Sequence, residues 1–162
     1  MEEPKQPPAI RIFVDADACP VKNEVYRVAE RYALPVYVVA NAFMQVPRGG
    51  LIELVVVAAG PDIADDWIAE RATSTDIVVT ADVPLAARAF RNGASVISPT
   101  GKAFDDDSIH MALATRNLLT DLRSAGAETR GPKPLSRQDL SRFLSALDLA
   151  VVRLQRKLAG QG

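Results

Sequence analysis

The chain has 162 residues, 48% of them apolar, and a net charge of −1. This excludes a disordered chain and predicts one folded domain with its own core, over residues 10–158. The small net charge hides an asymmetry: residues 1–115 carry 10 Lys and Arg against 16 Asp and Glu, and residues 116–162 carry 9 against 4. An acidic body with a basic tail suits a protein that holds a cation in one part and meets an anion with the other, or one whose two parts attract each other.

Residues 1–9 read as a flexible leader, with Pro4, Pro7 and Pro8 and no apolar stretch of the signal-peptide kind. No apolar run approaches the roughly 20 residues of a membrane span. The single cysteine, Cys19, excludes an internal disulfide, and a reducing, cytoplasmic setting is expected.

Ile10 to Val14 is a short apolar run that predicts a buried strand, followed by Asp15-Ala16-Asp17 and then Cys19-Pro20. Pro20 suits the first position of a helix. Val21, Val25, Val28, Ala29 and Tyr32 give that helix an inward stripe. Val36 to Ala40 is a second strand, ending at Asn41, and Ile52 to Ala58 a third. A helix is expected from Gly60-Pro61-Asp62 to about Ala72, then a strand over Asp76 to Thr80 that ends at Ala81-Asp82. A short helix carries Leu85, Ala86, Ala89 and Phe90 inward and stops at Asn92-Gly93. Ala94 to Ile97 forms a fifth strand, and a helix runs from about Ser108 to Ala125. After a turn-rich linker, Ser136 and Asp139 form a capping box. The helix they open has the stripe Leu140, Phe143, Leu144, Leu147, Val151, Leu154 and Leu158. Strands alternating with helices, and strands apolar on both faces, predict a three-layer α/β/α fold around a mainly parallel sheet of about five strands.

The chemistry is expected where acids gather. Asp15 and Asp17 follow the first strand, in the crevice beyond strand carboxyl ends where open α/β sheets bind ligands. Two carboxylates so close repel unless a positive group holds them. A hard divalent cation, Mg²⁺ or Mn²⁺, prefers such oxygen ligands. Asp62 and Asp66, four apart, are expected on one helix face at about 5–6 Å; Asp65 can join from the next row but reads first as a solvated acid rather than a ligand. Asp82 follows the fourth strand as Asp15 follows the first. Such a cluster suits metal-assisted hydrolysis of a phosphodiester. Taken singly, Asp62 and Asp82 also read as helix caps. Asp76 precedes its strand and is excluded, and Asp105 to Asp107 are partners for a helix dipole.

VDADACPVK, GPDIADDWI, DIVVTADVPLA and RGPKPLSRQD, in this order, resemble the bacterial YaiI/YqxD-type family of uncharacterised proteins. That family is similar to the PIN-like nuclease superfamily, whose members place acids after strand 1, on a middle helix and after strand 4. Asp15, Asp62, Asp66 and Asp82 match that pattern by position, and Asp17 has a weaker counterpart. The resemblance implies a PIN-like fold and a Mg²⁺-dependent nuclease.

Lys22, on the first helical turn, and Asn41, after strand 2, are candidates to bind or orient a substrate. Arg130 and Lys133, in a Pro/Gly frame, suit contact with the phosphates of RNA or another nucleic acid. Cys19 is placed at the start of the first helix and reads as packed and inert, because the one histidine, His110, lies far along the chain. Trp67 reads as core. Two alternatives stand beside the nuclease. The Asp15-x-Asp17 pair after a strand is similar to the first motif of haloacid-dehalogenase-like phosphatases, in which Asp15 would attack phosphorus. The other is a nucleic-acid or nucleotide-binding module without catalysis.

Overall fold

The computed structural model describes residues 10–124 and 134–160. The leader over residues 1–9, and Arg130 and Lys133, lie outside the described residues. The sheet has five parallel strands: β1 (Arg11–Asp15), β2 (Val36–Ala40), β3 (Ile52–Val56), β4 (Asp76–Val79) and β5 (Ser95–Ile97), in the order β3-β2-β1-β4-β5. The helices are α1 (Lys22–Tyr32), α2 (Ile63–Arg71), α3 (Val83–Arg91), α4 (Asp106–Ser124) and α5 (Arg137–Gly160).

Alternate strand residues build two cores. Ile12, Val14, Val36, Val38, Ile77, Val79 and Ile97 face α1 and α5, and meet Val25, Val28, Phe143, Leu147 and Val151. Phe13, Val39, Val78 and Val96 face α2, α3 and α4, and meet Ile68, Leu85, Ala89 and Ile109. Apolar side chains on both faces are what a parallel sheet covered on both sides requires. Trp67 belongs to the second core, edge-on to Phe13 with ring centroids 5.9 Å apart.

The capping box at the start of α5 forms as the sequence predicts. Ser136 N–H donates to Asp139 Oδ2 at 3.0 Å, and Asp139 N–H donates to Ser136 Oγ at 3.1 Å. The helix docks through its stripe, with Phe143, Leu147 and Val151 fully buried and Leu140, Leu144 and Leu158 packed at the margin.

The start of α1 differs from expectation. A 3₁₀ turn, Ala16–Ala18, follows β1 directly, and α1 begins only at Lys22 with Val21 as its N-cap. Pro20 and Cys19 therefore lie ahead of the helix, in the link between the two. Cys19 is buried, and burial pushes its thiol up to about 11, as fits a packed cysteine.

The order of the strands positions the site. From β1 the chain moves outward through β2 to β3, then returns to β4 on the other side of β1 and continues to β5. The direction of winding reverses between β1 and β4, and a crevice opens beyond their carboxyl ends.

Candidate functional site: an acidic crevice at the switch point

Five carboxylates, those of Asp15, Asp17, Asp62, Asp65 and Asp82, line a crevice of about 290 Å³ together with Asn41. Asp15 is the last residue of β1 and is buried. Asp17 is exposed on the 3₁₀ turn. Asp82 is the N-cap of α3, where its Oδ1 accepts from Leu85 N–H at 3.0 Å, so its capping and crevice positions coexist. Asn41 is exposed just beyond β2.

Asp62 and Asp66 part company. Asp62 stands ahead of α2 with φ 66°, in the left-handed region that Asp tolerates better than most residues, and its side chain caps nothing. Two residues four apart share a face only when both are helical. The turn at Asp62 breaks that relation, and the helix brings Asp65 to the crevice instead. Asp66 does not line it. Its carboxylate pairs with Arg88 of α3 at 2.6 Å, a structural link between two helices.

A residue the sequence reading passed over organises the floor. Thr80, fully buried between β4 and Asp82, donates its hydroxyl to Asp15 Oδ2 at 3.0 Å. Thr80 Oγ1 in turn accepts from Asp82 N–H at 2.9 Å. One threonine thus fixes the first carboxylate and the backbone that carries another. The signal was present in Thr80-Ala81-Asp82, since a Thr hydroxyl commonly accepts from the N–H two residues on.

The charges are unbalanced. Burial pushes the Asp15 carboxyl up, against the pull of the Thr80 hydroxyl, and the neighbouring Asp82 and Asp17 add to the rise while Lys22 opposes it. Asp65 is pushed up to about 7, first by burial and then by the charges of Asp82, Asp15 and Asp62, with a side-chain contact to Asp82 adding to the effect. Lys22 stays close but does not neutralise the cluster: its Nζ donates to the Cys19 carbonyl at 2.7 Å.

The sign of the pH dependence follows. A carboxyl whose folded pKa lies above its unfolded value binds more protons in the folded state between the two. The contribution of Asp65 is therefore fully present below about 3.8 and is lost as pH rises through about 7. Without divalent cations, the protein should melt at a lower temperature at pH 8 than at pH 5. Asp65→Asn should flatten that difference and raise melting at pH 8. Equal pH dependence in the two proteins, measured by calorimetry, would show that Asp65 does not sense its neighbours.

The donor set is chemically suited to a hard divalent cation, being all carboxylate and amide oxygen. Among the described residues, no three of His, Cys, Asp and Glu are already gathered closely enough to hold a metal ion.

The model of the uncharacterised YaiI/YqxD family matches residues 13–153, nearly all of the region just described. The chain belongs to that family. It is 62% identical over 151 residues to a UPF0178 protein of Azorhizobium caulinodans, covering 93% of this chain and 95% of that one. It is 57% identical over 153 residues to a UPF0178 protein of Nitrobacter winogradskyi, covering 94% and 98%. A UPF0178 protein of Rhodopseudomonas palustris is also 57% identical, over 154 residues, covering 95% and 94%. No solved structure matches the fold significantly. Among the described residues of this YaiI/YqxD chain, no helix is long and apolar enough to cross a membrane.

Proposed function

We propose that this YaiI/YqxD protein is a metal-dependent phosphodiesterase of the PIN-like kind, acting on RNA or another nucleic acid in the cytoplasm. The observation that carries the reading is the convergence of Asp15, Asp17, Asp62, Asp65 and Asp82, from the end of β1, the 3₁₀ turn after it, the turn before α2, α2 itself and the cap of α3, on one crevice at the switch point of the sheet. A packed α/β fold does not need five carboxylates in one place, and their mutual repulsion costs stability unless a cation relieves it. Asp15, Asp62 and Asp82 would hold Mg²⁺ or Mn²⁺, with Asp65 joining them. The bound ion would supply a water of lowered pKa and positive charge beside a phosphodiester oxygen. Asp15 is fixed by Thr80 and so supplies the rigid member of the set. Asp65, pushed up to about 7 beside Asp82, is ionised in part near neutrality, and in that form it is the group able to accept a proton from an attacking water. Asn41, on the rim, can orient that water or the substrate. Arg130 and Lys133 are the proposed phosphate contacts.

Thermal melts with and without Mn²⁺ test the site. Metal should stabilise the wild type by mass action, and Asp15→Asn and Asp82→Asn should gain much less. Without metal, Asp15→Asn should melt no lower than wild type, because like-charge repulsion falls. Asp82→Asn should stay within about 1 kcal/mol, because Asn caps a helix nearly as well as Asp. A single-stranded RNA cleavage assay should show Mn²⁺-dependent activity that both variants lose. Metal-independent melting of the wild type would refute the site; stabilisation without cleavage of any nucleic acid tested would leave a metal site and remove the nuclease.

A further inference from the structure

Beside the acidic crevice lies a larger cavity, of about 960 Å³, which the metal chemistry does not use. Its floor is the link from β1 to α1, with Ala16, Asp17, Cys19 and Pro20. One wall is the segment after β5, through Ser98, Pro99 and Phe104, and the other is the start of α5, through Leu135 and Leu140. Asp17 lines both the cavity and the crevice, so the two adjoin at that residue.

The walls are fixed by the fold. Ser98 N–H donates to the Lys102 carbonyl at 2.9 Å, Gly101 N–H to the Ser98 carbonyl at 2.9 Å, and Phe104 N–H to the Val96 carbonyl at 2.9 Å. A bridge joins Ile97 to Ala103. Gly101, at φ +89°, lies so close to α5 that a Cβ there would stand 2.7 Å from the carbonyl carbon of Arg142. Only glycine permits that approach. The cavity is held open between an immobilised turn and a docked helix, and its size falls within the range of small-molecule sites.

We infer that this cavity is a nucleobase pocket, which seats the base and sugar of a nucleotide whose phosphate lies over the acidic crevice. The inference rests on the phosphodiesterase reading for the position of the phosphate. The lining suits a flat heteroaromatic ring: Pro20, Pro99 and Leu140 are apolar, and Phe104 supplies an aromatic surface of the kind on which bases stack. The polar groups suit its edge. Ser98 Oγ and Thr100 Oγ1 lie 2.8 Å apart and can each donate or accept, and the Asp17 carboxylate on the rim accepts. The two hydroxyls bond each other, and Ser98 Oγ also accepts from Lys102 N–H at 3.2 Å, so the polar edge is held in place before a ligand arrives. Lys22 also lines the cavity, where its ammonium, held by the Cys19 carbonyl at 2.7 Å, adds positive charge to the lining.

The test is amide chemical-shift mapping of the ¹⁵N-labelled full chain. In the presence of Mg²⁺, adenosine 5′-monophosphate should shift the amides of Ser98 to Phe104 saturably. Inorganic phosphate with Mg²⁺ should shift those of Asp62 and Asp65 and spare that segment. Adenosine without Mg²⁺ should still shift Ser98 to Phe104, with weaker affinity. Phe104→Leu, which removes the ring and keeps the bulk, and Leu140→Trp, which fills the cavity, should each weaken nucleotide binding at least tenfold and leave Mg²⁺ affinity unchanged. Melts of both variants identify any that is unfolded, and the folded one then decides. Mg²⁺ shifts at the crevice with no response of Ser98 to Phe104 to either adenosine compound would overturn the pocket and leave the metal site standing. Adenosine binding blocked by Leu140→Trp in a protein indifferent to Mg²⁺ would keep the pocket and remove the metal. Decanoate shifting the segment where the nucleotide does not would also overturn the inference, in favour of an acyl ligand.

Discussion

Phe143→Ala is expected to destabilise the protein by about 3–5 kcal/mol, the range for emptying a large aromatic site in a core. For a chain of this size that is a fall in melting temperature of roughly 6–20 °C. Phe143 is fully buried where α5 meets the sheet, and Gly101 presses against the backbone at Arg142 and Phe143. Neither neighbour can easily move inward. The Gly101 segment is pinned by its own hydrogen bonds, and α5 is tied to α1 at its middle, where Tyr32 Oη donates to Asp148 Oδ1 at 2.7 Å and Arg31 pairs with the same oxygen at 3.0 Å. A site that cannot collapse shows the full cavity cost. On the same stripe, Leu147→Asp should be worse than Leu144→Asp, because Leu147 is fully buried and Leu144 lies at the core margin. Chemical denaturation measures all three. A change below about 1 kcal/mol for Phe143→Ala would mean that α5 is not part of the cooperative unit.

Asp76→Ala should cost about 2–4 kcal/mol, because it dismantles a buried polar network at the opposite end of the sheet from the crevice. Asp76 is fully buried and accepts four hydrogen bonds: from Arg11 Nε at 3.0 Å and Nη2 at 2.8 Å, from Thr73 N–H at 2.8 Å and from Thr73 Oγ1 at 2.9 Å. The loss falls below the largest seen for buried pairs because the Arg11 side chain is one-third exposed and can turn to water. Arg11→Ala leaves the carboxylate inside without its cation, so the double variant should lose less than the sum of the two single ones. Additive losses would mean that the pair is not coupled. Metal response should be untouched in both, which separates this acid from those of the crevice.

The strands and the last helix were legible because their signals are local and repeated. Val36 to Ala40 is a strand over the residues the pattern marks, and the Ser136–Asp139 box forms as written. The adjacency of β1 and β4 was also accessible, from the rules of a doubly wound sheet. What failed depended on backbone turns of one or two residues. The Asp62–Asp66 spacing implied a shared face, but left-handed geometry at Asp62 takes that residue off the helix. The 3₁₀ turn after Asp15 displaced the start of α1 by two residues from Pro20. The Thr80 bond to Asp82 N–H was legible locally, but its bond to Asp15, 65 positions away, was not. The cavity beside the crevice was invisible for the same reason, since its walls come from three segments far apart in the chain.

The two faces of the sheet close at different times as the chain is made. The face covered by α2, α3 and α4 has its apolar partners by Leu113. The face that holds Ile12, Val14 and Val38 is covered in part by α1, through Val25 and Val28, and waits for Phe143, Leu147 and Val151 to be completed. With synthesis at about 5–20 residues per second, seconds separate the two events. During that interval the nascent protein presents the apolar surface that α5 will cover, beside α1 on that face, a surface that a chaperone would recognise and that a neighbouring nascent chain could join. Ribosome-bound chains halted before α5 emerges should therefore bind a hydrophobic dye, and chains halted after its release should not; equal dye binding at both stages would show that α5 does not seal that surface.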